Sequence, residues 1–147
     1  MNLFLQLLIG TAMIGLTVSV HGAALDLVMK NAGHWETKVK RLAQKLYKPV
    51  VSITVVLALF TAHIVEIWLW AALYLLLDCL PNNTLSEALY FSTVTYTTVG
   101  YGDIVLVDGF RMMSGIEAAN GFLLFGWTTA FIFEIMSRIY KHEIKSL

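Results

Sequence analysis

Three apolar stretches, at about residues 3–29, 50–78 and 110–137, constrain this chain more than anything else in it. Each is long enough to cross a bilayer, because about 20 apolar residues cover roughly 30 Å of hydrocarbon at about 1.5 Å of rise per residue. Composition agrees: 58% of the 147 residues are hydrophobic and 14% are charged, against about 25% charged in a soluble domain. An all-α membrane protein is the expected fold class. Pro49 opens the second stretch, where a proline suits the first helical turn. Asp26 and Lys30, four apart in the first stretch, are placed to form a helix-end ion pair.

The 10 acidic and 10 basic residues cancel, so orientation depends on where the charges lie. The connection between the first two spans carries Lys30, Lys38, Lys40, Arg41, Lys45 and Lys48 against Glu36 alone, which makes it cytoplasmic by the positive-inside rule. The C-terminal tail is basic as well, with Arg138, Lys141 and Lys145. The N-terminus is then outside, and the segment 79–110, charged only by Glu87, Asp103 and Asp108, is outside or dips in from outside. A cleaved leader at residues 1–25 fits poorly: it lacks a basic n-region, and its removal would invert the remaining spans against their charge bias. The lone Cys79 cannot make an intrachain disulfide, and zinc-type clusters of Cys and His spacing are absent.

Between the last two spans, "PNNTLSEALYFSTVTYTTVGYGDI" begins with a capping box, Thr84 and Glu87, which predicts a pore helix over residues 85–97. Such a helix is too short to cross a membrane, so it enters and stops, with its negatively polarised C-terminal end favouring a cation. Non-helical backbone at that depth is tolerated only where it is buried in protein or lines a water-filled path. Thr98, Val99, Gly100, Tyr101 and Gly102 are therefore expected to line a path. If their backbone alternates between left- and right-handed conformations, successive carbonyls face one side, and the two glycines make that inexpensive. Four such strands around an axis would replace the hydration shell of a large monovalent cation, so a homotetramer is expected. An extracellular turn is the plainer reading of Gly-Tyr-Gly-Asp, but a turn needs no capped half-helix aimed at it.

"EALYFSTVTYTTVGYGD" resembles the pore loop of the potassium-channel superfamily, and Thr-Val-Gly-Tyr-Gly is itself the general example of a potassium filter. The resemblance covers residues 49–140, the outer helix, pore helix, filter (98–102) and inner helix. It leaves outside an N-terminal transmembrane helix (1–30) and a basic linker (31–48), with a short tail at 141–147. It implies that Thr98, Val99, Gly100 and Tyr101 supply carbonyls to K+, the bound and transported ion, while Gly102 and Asp103 close the outer mouth. Tyr90, Phe91 and Tyr101 would form an aromatic cuff. Some family members carry a carboxylate four residues before the filter threonine to pair with the aspartate. Here that position is Val94, so Asp103 must find another partner, a pore-helix hydroxyl or water.

On the third span, Gly121 matches the family's inner-helix glycine, a bending point, and Gly126 is a second weak point or a packing glycine. Phe122, Phe125, Thr129, Phe133 and Ser137 recur at roughly helical spacing, and four copies of Phe133 would make an apolar ring able to dewet. His63, Glu66 and Glu117 are ionisable residues within spans. They are either a protonation or cation site coupled to opening, or fixed hydrogen bonds such as Glu117 to pore-helix Thr or Tyr hydroxyls and Glu66 to His63 or a tryptophan. A divalent site from these three is disfavoured because nothing sets their mutual distance. Glu134 can pair with Arg138 or face the inner mouth.

The first span lacks the arginine repeat of a voltage sensor, and the tail leaves no room for a ligand-binding domain, so a local stimulus is expected. Asp26 or His21 on that span are further candidates for regulation. No catalytic triad or phosphate loop suggests an enzyme, no cofactor is called for, and no nucleic-acid partner is expected. The expected function is a potassium-selective channel in the cell membrane, by family analogy a bacterial inner membrane. A less selective cation channel and a non-conducting modulatory subunit are the alternatives.

Overall fold

The computed structural model describes the backbone of residues 1–42 and 46–144 and the side chains of residues 1–31 and 46–140. Four helices follow in order: α1 (Leu3–Leu42), α2 (Tyr47–Leu76), α3 (Leu85–Tyr96) and α4 (Arg111–Ile144). Three segments are long and apolar enough to cross a membrane, Leu3–Asn31, Tyr47–Leu76 and Arg111–Tyr140. At 30 residues each, the latter two reach roughly 45 Å, enough for a tilted crossing. α3, with 12 residues, reaches roughly 18 Å and cannot cross. The chain is thus an all-helical, multi-pass membrane protein.

Boundaries moved where local chemistry decided them. The linker expected at 31–48 is helical through Leu42, because α1 continues past its apolar span into the polar sequence. The basic side chains of that linker from Lys38 to Lys45, and Lys141 and Lys145 of the tail, lie outside the described residues. α2 stops at Leu76, two residues short of the sequence estimate. There Asp78 adopts φ 49°, while the Asp78 and Cys79 amides donate to the carbonyls of Leu75 and Tyr74 at 3.2 and 3.4 Å. This is the left-handed closure a glycine usually provides, which aspartate tolerates better than most residues. As expected from spacing, Lys30 pairs with Asp26 at 2.5 Å and Arg138 with Glu134 at 2.7 Å.

α1 packs along α2 and α4, and α3 wedges between α2 and α4. Two apolar clusters result. One gathers Met13, Trp70, Tyr74, Phe91, Tyr96, Met113 and Leu124. The other gathers Leu25, Val28, Val51, Val55, Leu59 and Ile135. On each spanning helix, buried polar residues lie between the two: Thr17 and His21 on α1, His63 and Glu66 on α2, Thr128 on α4. Outward faces carry Leu, Ile, Val and Phe, as a lipid-facing surface requires.

Close approach, not hinge freedom, is what the chain itself demands at Gly121. A Cβ there would sit 2.1 Å from the Tyr96 carbonyl oxygen, so α4 meets the end of α3 backbone to backbone. α4 runs unbroken through both Gly121 and Gly126. Nothing lies within 4 Å of a Cβ at Gly126, so the packing role expected there falls within the chain to Gly121. Gly121→Ala is expected to lower stability by about 1–3 kcal/mol or more through overpacking. Gly126→Ala should be neutral or gain up to about 1 kcal/mol of helix propensity. Denaturant unfolding in detergent, compared between the two variants, checks this.

Cys79 is fully buried behind the α2 terminus, where its thiol donates to the Tyr74 carbonyl at 3.5 Å. Burial, with the nearby Asp78 charge adding to it, pushes the thiol up to about 11. It should resist maleimide at pH 7 in the folded protein and react once unfolded, as mass spectrometry will show.

Candidate ion pathway

The pathway begins with the cap on α3. Thr84, in extended conformation, accepts from the Glu87 amide at 3.2 Å, as the capping box predicts. The Glu87 carboxylate reaches past Thr84 and accepts from the Asn82 amide at 2.9 Å and from Asn82 Nδ2 at 3.1 Å. α3 is thereby tied at its start and ends at Tyr96, aiming its carbonyl end at the glycine-rich segment.

Beyond that end the backbone changes hand residue by residue. Positive φ occurs at Thr98 (61°), Gly100 (51°) and Gly102 (77°), while Val99 and Tyr101 keep negative φ. Alternating hands turn successive carbonyls toward one side, the geometry expected of a cation ladder. For Gly100 and Gly102 the demand is torsional, since an added Cβ would meet nothing within 4 Å. Thr98 is the costly position, because a β-branched residue at positive φ is an outlier. Two bonds hold it in place: Thr98 N–H donates to the Thr95 carbonyl at 2.9 Å, and Gly100 N–H to the Val94 carbonyl at 3.0 Å. Val94, which lacks the family's carboxylate, therefore acts here through its backbone.

Asp103 finds its partner on α3, the Tyr90 hydroxyl, which donates to Oδ2 at 2.7 Å. Past it, Val107 N–H donates to the Cys79 carbonyl at 3.0 Å and fastens the exit strand to the end of α2. The three rings expected to form a cuff separate within one chain. Phe91 is buried edge-on against Tyr74, with centroids 5.2 Å apart, while Tyr90 and Tyr101 are exposed.

Behind α3 the ionisable residues divide into two sites. Glu117 is fully buried, accepting from Tyr74 Oη at 2.7 Å and lying 2.5 Å from the Ser92 hydroxyl. Ser92 also lies 2.9 Å from the Ile67 carbonyl, so this site joins α2, α3 and α4. Glu66 belongs to the other. Its Oε1 meets His21 Nδ1 at 2.9 Å, and its Oε2 meets His63 Nδ1 at 3.1 Å and accepts from the Tyr96 hydroxyl. The Nε2 atoms of His63 and His21 both turn to Thr128 Oγ1, at 2.9 and 3.0 Å. His63, Glu66 and Glu117 thus do not converge as a trio, and His21, from another helix, completes the Glu66 site. Only its position within an apolar span marked His21 in the sequence. Asn120 and Thr17, bonded at 2.8 Å, add a further α1–α4 tie that no motif signalled.

α4 presents an open face in which Phe122 and Phe133 are 70% and 73% exposed and Thr129 lies between them. Phe125 is not on it. Its ring stacks on His63 with centroids 4.3 Å apart and meets Tyr96 edge-on at 5.6 Å, because position 125 lies on the side of α4 that also carries Gly121 and Thr128. Ser137 is half-buried.

A spanning helix, a half-helix, a hand-alternating strand and a second spanning helix define a channel-type membrane protein. Residues 50–138, more than half of the chain, match the family model described as ion channel, a two-span potassium-channel-type domain, and the chain belongs to that family. No curated protein and no solved structure matches it.

Tyr90→Phe removes one hydroxyl and with it the hydrogen bond that holds the Asp103 carboxylate to α3. Amide hydrogen exchange at residues 101–103 is expected to speed up severalfold, with α2 and α4 unchanged, as a local opening dictates.

Proposed function

We propose that this ion channel is a potassium-selective homotetramer in which Thr98, Val99, Gly100, Tyr101 and Gly102 of each chain contribute carbonyls to a central filter. The observation that carries the reading is the alternation of hand at Thr98, Gly100 and Gly102 directly beyond the α3 terminus. Such a strand offers one wall of a ladder, and a monovalent ion of potassium's size needs several walls to replace its water. The exposed Val99 and Tyr101 side chains, at 52% and 73%, give a single chain apolar and aromatic surface to bury against neighbouring copies. Transport is passive, by knock-on between stacked sites, without covalent chemistry.

The α4 face with Phe122, Thr129 and Phe133 would line the inner cavity, with Phe133 as the apolar constriction. Basic residues between the first two spans set the N-terminus outside and the C-terminus in the cytoplasm of a cell membrane. The first span braces the pore unit, since α1 contacts both α2 and α4.

Purified protein in liposomes of phosphatidylethanolamine and phosphatidylglycerol, loaded with potassium, should release potassium at least tenfold faster than sodium under matched gradients. Gly100→Asp should reduce flux to the protein-free rate while the oligomer survives. Equal rates for the two ions would favour the less selective cation channel. An intact tetramer that passes neither would favour the non-conducting subunit.

A further inference from the structure

The Glu66 site holds more ligand chemistry than a structural hydrogen-bond cluster needs. His21, His63 and Glu66 are all buried, and one donor atom from each lies within 4.8 Å of the others. Two imidazoles and a carboxylate are a zinc donor set, and a fourth oxygen, Tyr96 Oη, stands 3.2 Å from His63 Nδ1 and bonds Glu66. Tetrahedral bonds of about 2.0–2.1 Å place donor atoms roughly 3.3 Å apart. The observed 2.9 Å from His21 Nδ1 to Oε1, 3.1 Å from His63 Nδ1 to Oε2 and 3.2 Å from His63 Nδ1 to Tyr96 Oη lie within a few tenths of an ångström of that spacing, while the closer Tyr96–Glu66 hydrogen-bonded pair must part further as the hydroxyl turns from Glu66 to the ion.

The outer hydrogen bonds accommodate an ion. Both Nε2 atoms converge on Thr128 Oγ1. Without metal, two neutral rings serve these contacts only as unlike tautomers: His21 donates Nδ1–H to Glu66 and accepts from Thr128, while His63 donates Nε2–H to Thr128 and accepts at Nδ1 from Tyr96. An ion bound at both Nδ1 atoms makes the two rings alike. Each ring then carries its proton on Nε2, and the Thr128 oxygen, with two lone pairs, accepts both. Metal-bound histidines regularly donate their second N–H to an oxygen in this way. Access exists as well: a cavity of about 360 Å³, lined by His63, Phe60, Ile64, Thr93, Thr97 and Phe125, opens beside the cluster.

We propose that His21, His63 and Glu66, completed by the Tyr96 hydroxyl, bind one divalent transition ion of the zinc class per chain. The ion clips α1 to α2 and to the residue two positions before Thr98, making the first span a metal-dependent brace on the foot of the filter segment. Nitrogen-rich donors favour zinc and its neighbours over magnesium or calcium.

The test uses the full chain in detergent, stripped with chelator and titrated with Co2+. Expected are saturation at one Co2+ per chain, the intense visible absorption of a tetrahedral site, competition by Zn2+, and a melting temperature several degrees higher with Zn2+. His21→Gln should lose the tetrahedral spectrum. Because that variant can also fail to fold, His63→Cys supplies a positive signal, a sulfur-to-cobalt charge-transfer band that arises only from direct ligation. The proposal is overturned if wild-type protein takes up no Co2+ or Zn2+ saturably. It is overturned equally if uptake is unchanged in His21→Gln, or if folded His63→Cys binds Co2+ without the sulfur band. In those cases the two rings and Glu66 share protons and hold no metal.

Discussion

The end of α3 that leads into the pore segment is held by one carboxylate, Glu66, sealed from solvent in the middle of α2. An ionisable group at that depth is tolerated only when it is fully partnered, and removing one partner of a buried charge typically costs about 3–5 kcal/mol. Glu66 meets the demand with groups from three helices: His21 of α1, His63 of α2 itself and Tyr96 of α3. Thr128 extends the set to α4 by binding both histidines. Four helices are therefore positioned by a single requirement for satisfied polarity.

That requirement also solves a problem of register. Lipid tails are as apolar as leucine, so hydrophobicity alone does not tell a helix in a bilayer how to rotate or slide against its neighbours. Here the polar layer interrupts each spanning helix between the two apolar clusters, so a slip of one turn would strand polar groups in hydrocarbon. The layer aligns α1, α2 and α4, and leaves their outer faces free to be uniformly apolar.

The same layer supports the strained segment it abuts. Positive φ at a threonine stores about 1–3 kcal/mol, and Thr98 sits two residues beyond Tyr96. The Tyr96 hydroxyl is bonded to Glu66 and its carbonyl is pressed against Gly121, so the end of α3 is held from two sides. From that fixed point the amides of Thr98 and Gly100 bond back to Thr95 and Val94. On the exit side Tyr90 and Cys79 anchor Asp103 and Val107. The strain at Thr98 persists because both flanks of the segment are determined elsewhere.

Several of these features were legible in the sequence because they are local. Apolar runs and the rise per residue determine the spans, Thr84 starts α3, and two glycines alternating with larger residues announce the change of hand. Charge spacing alone foretold the Asp26–Lys30 and Glu134–Arg138 pairs. Only tertiary structure decided what depends on helix rotation and on contacts between distant residues. It turned Phe125 toward His63 and away from Phe133, gave Glu117 to Ser92 and Tyr74, and brought Gly121 against Tyr96. Above all it delivered His21 to Glu66 across 45 positions of sequence. Spacing along one chain specifies which residues share a helix face, but not which face another helix will meet.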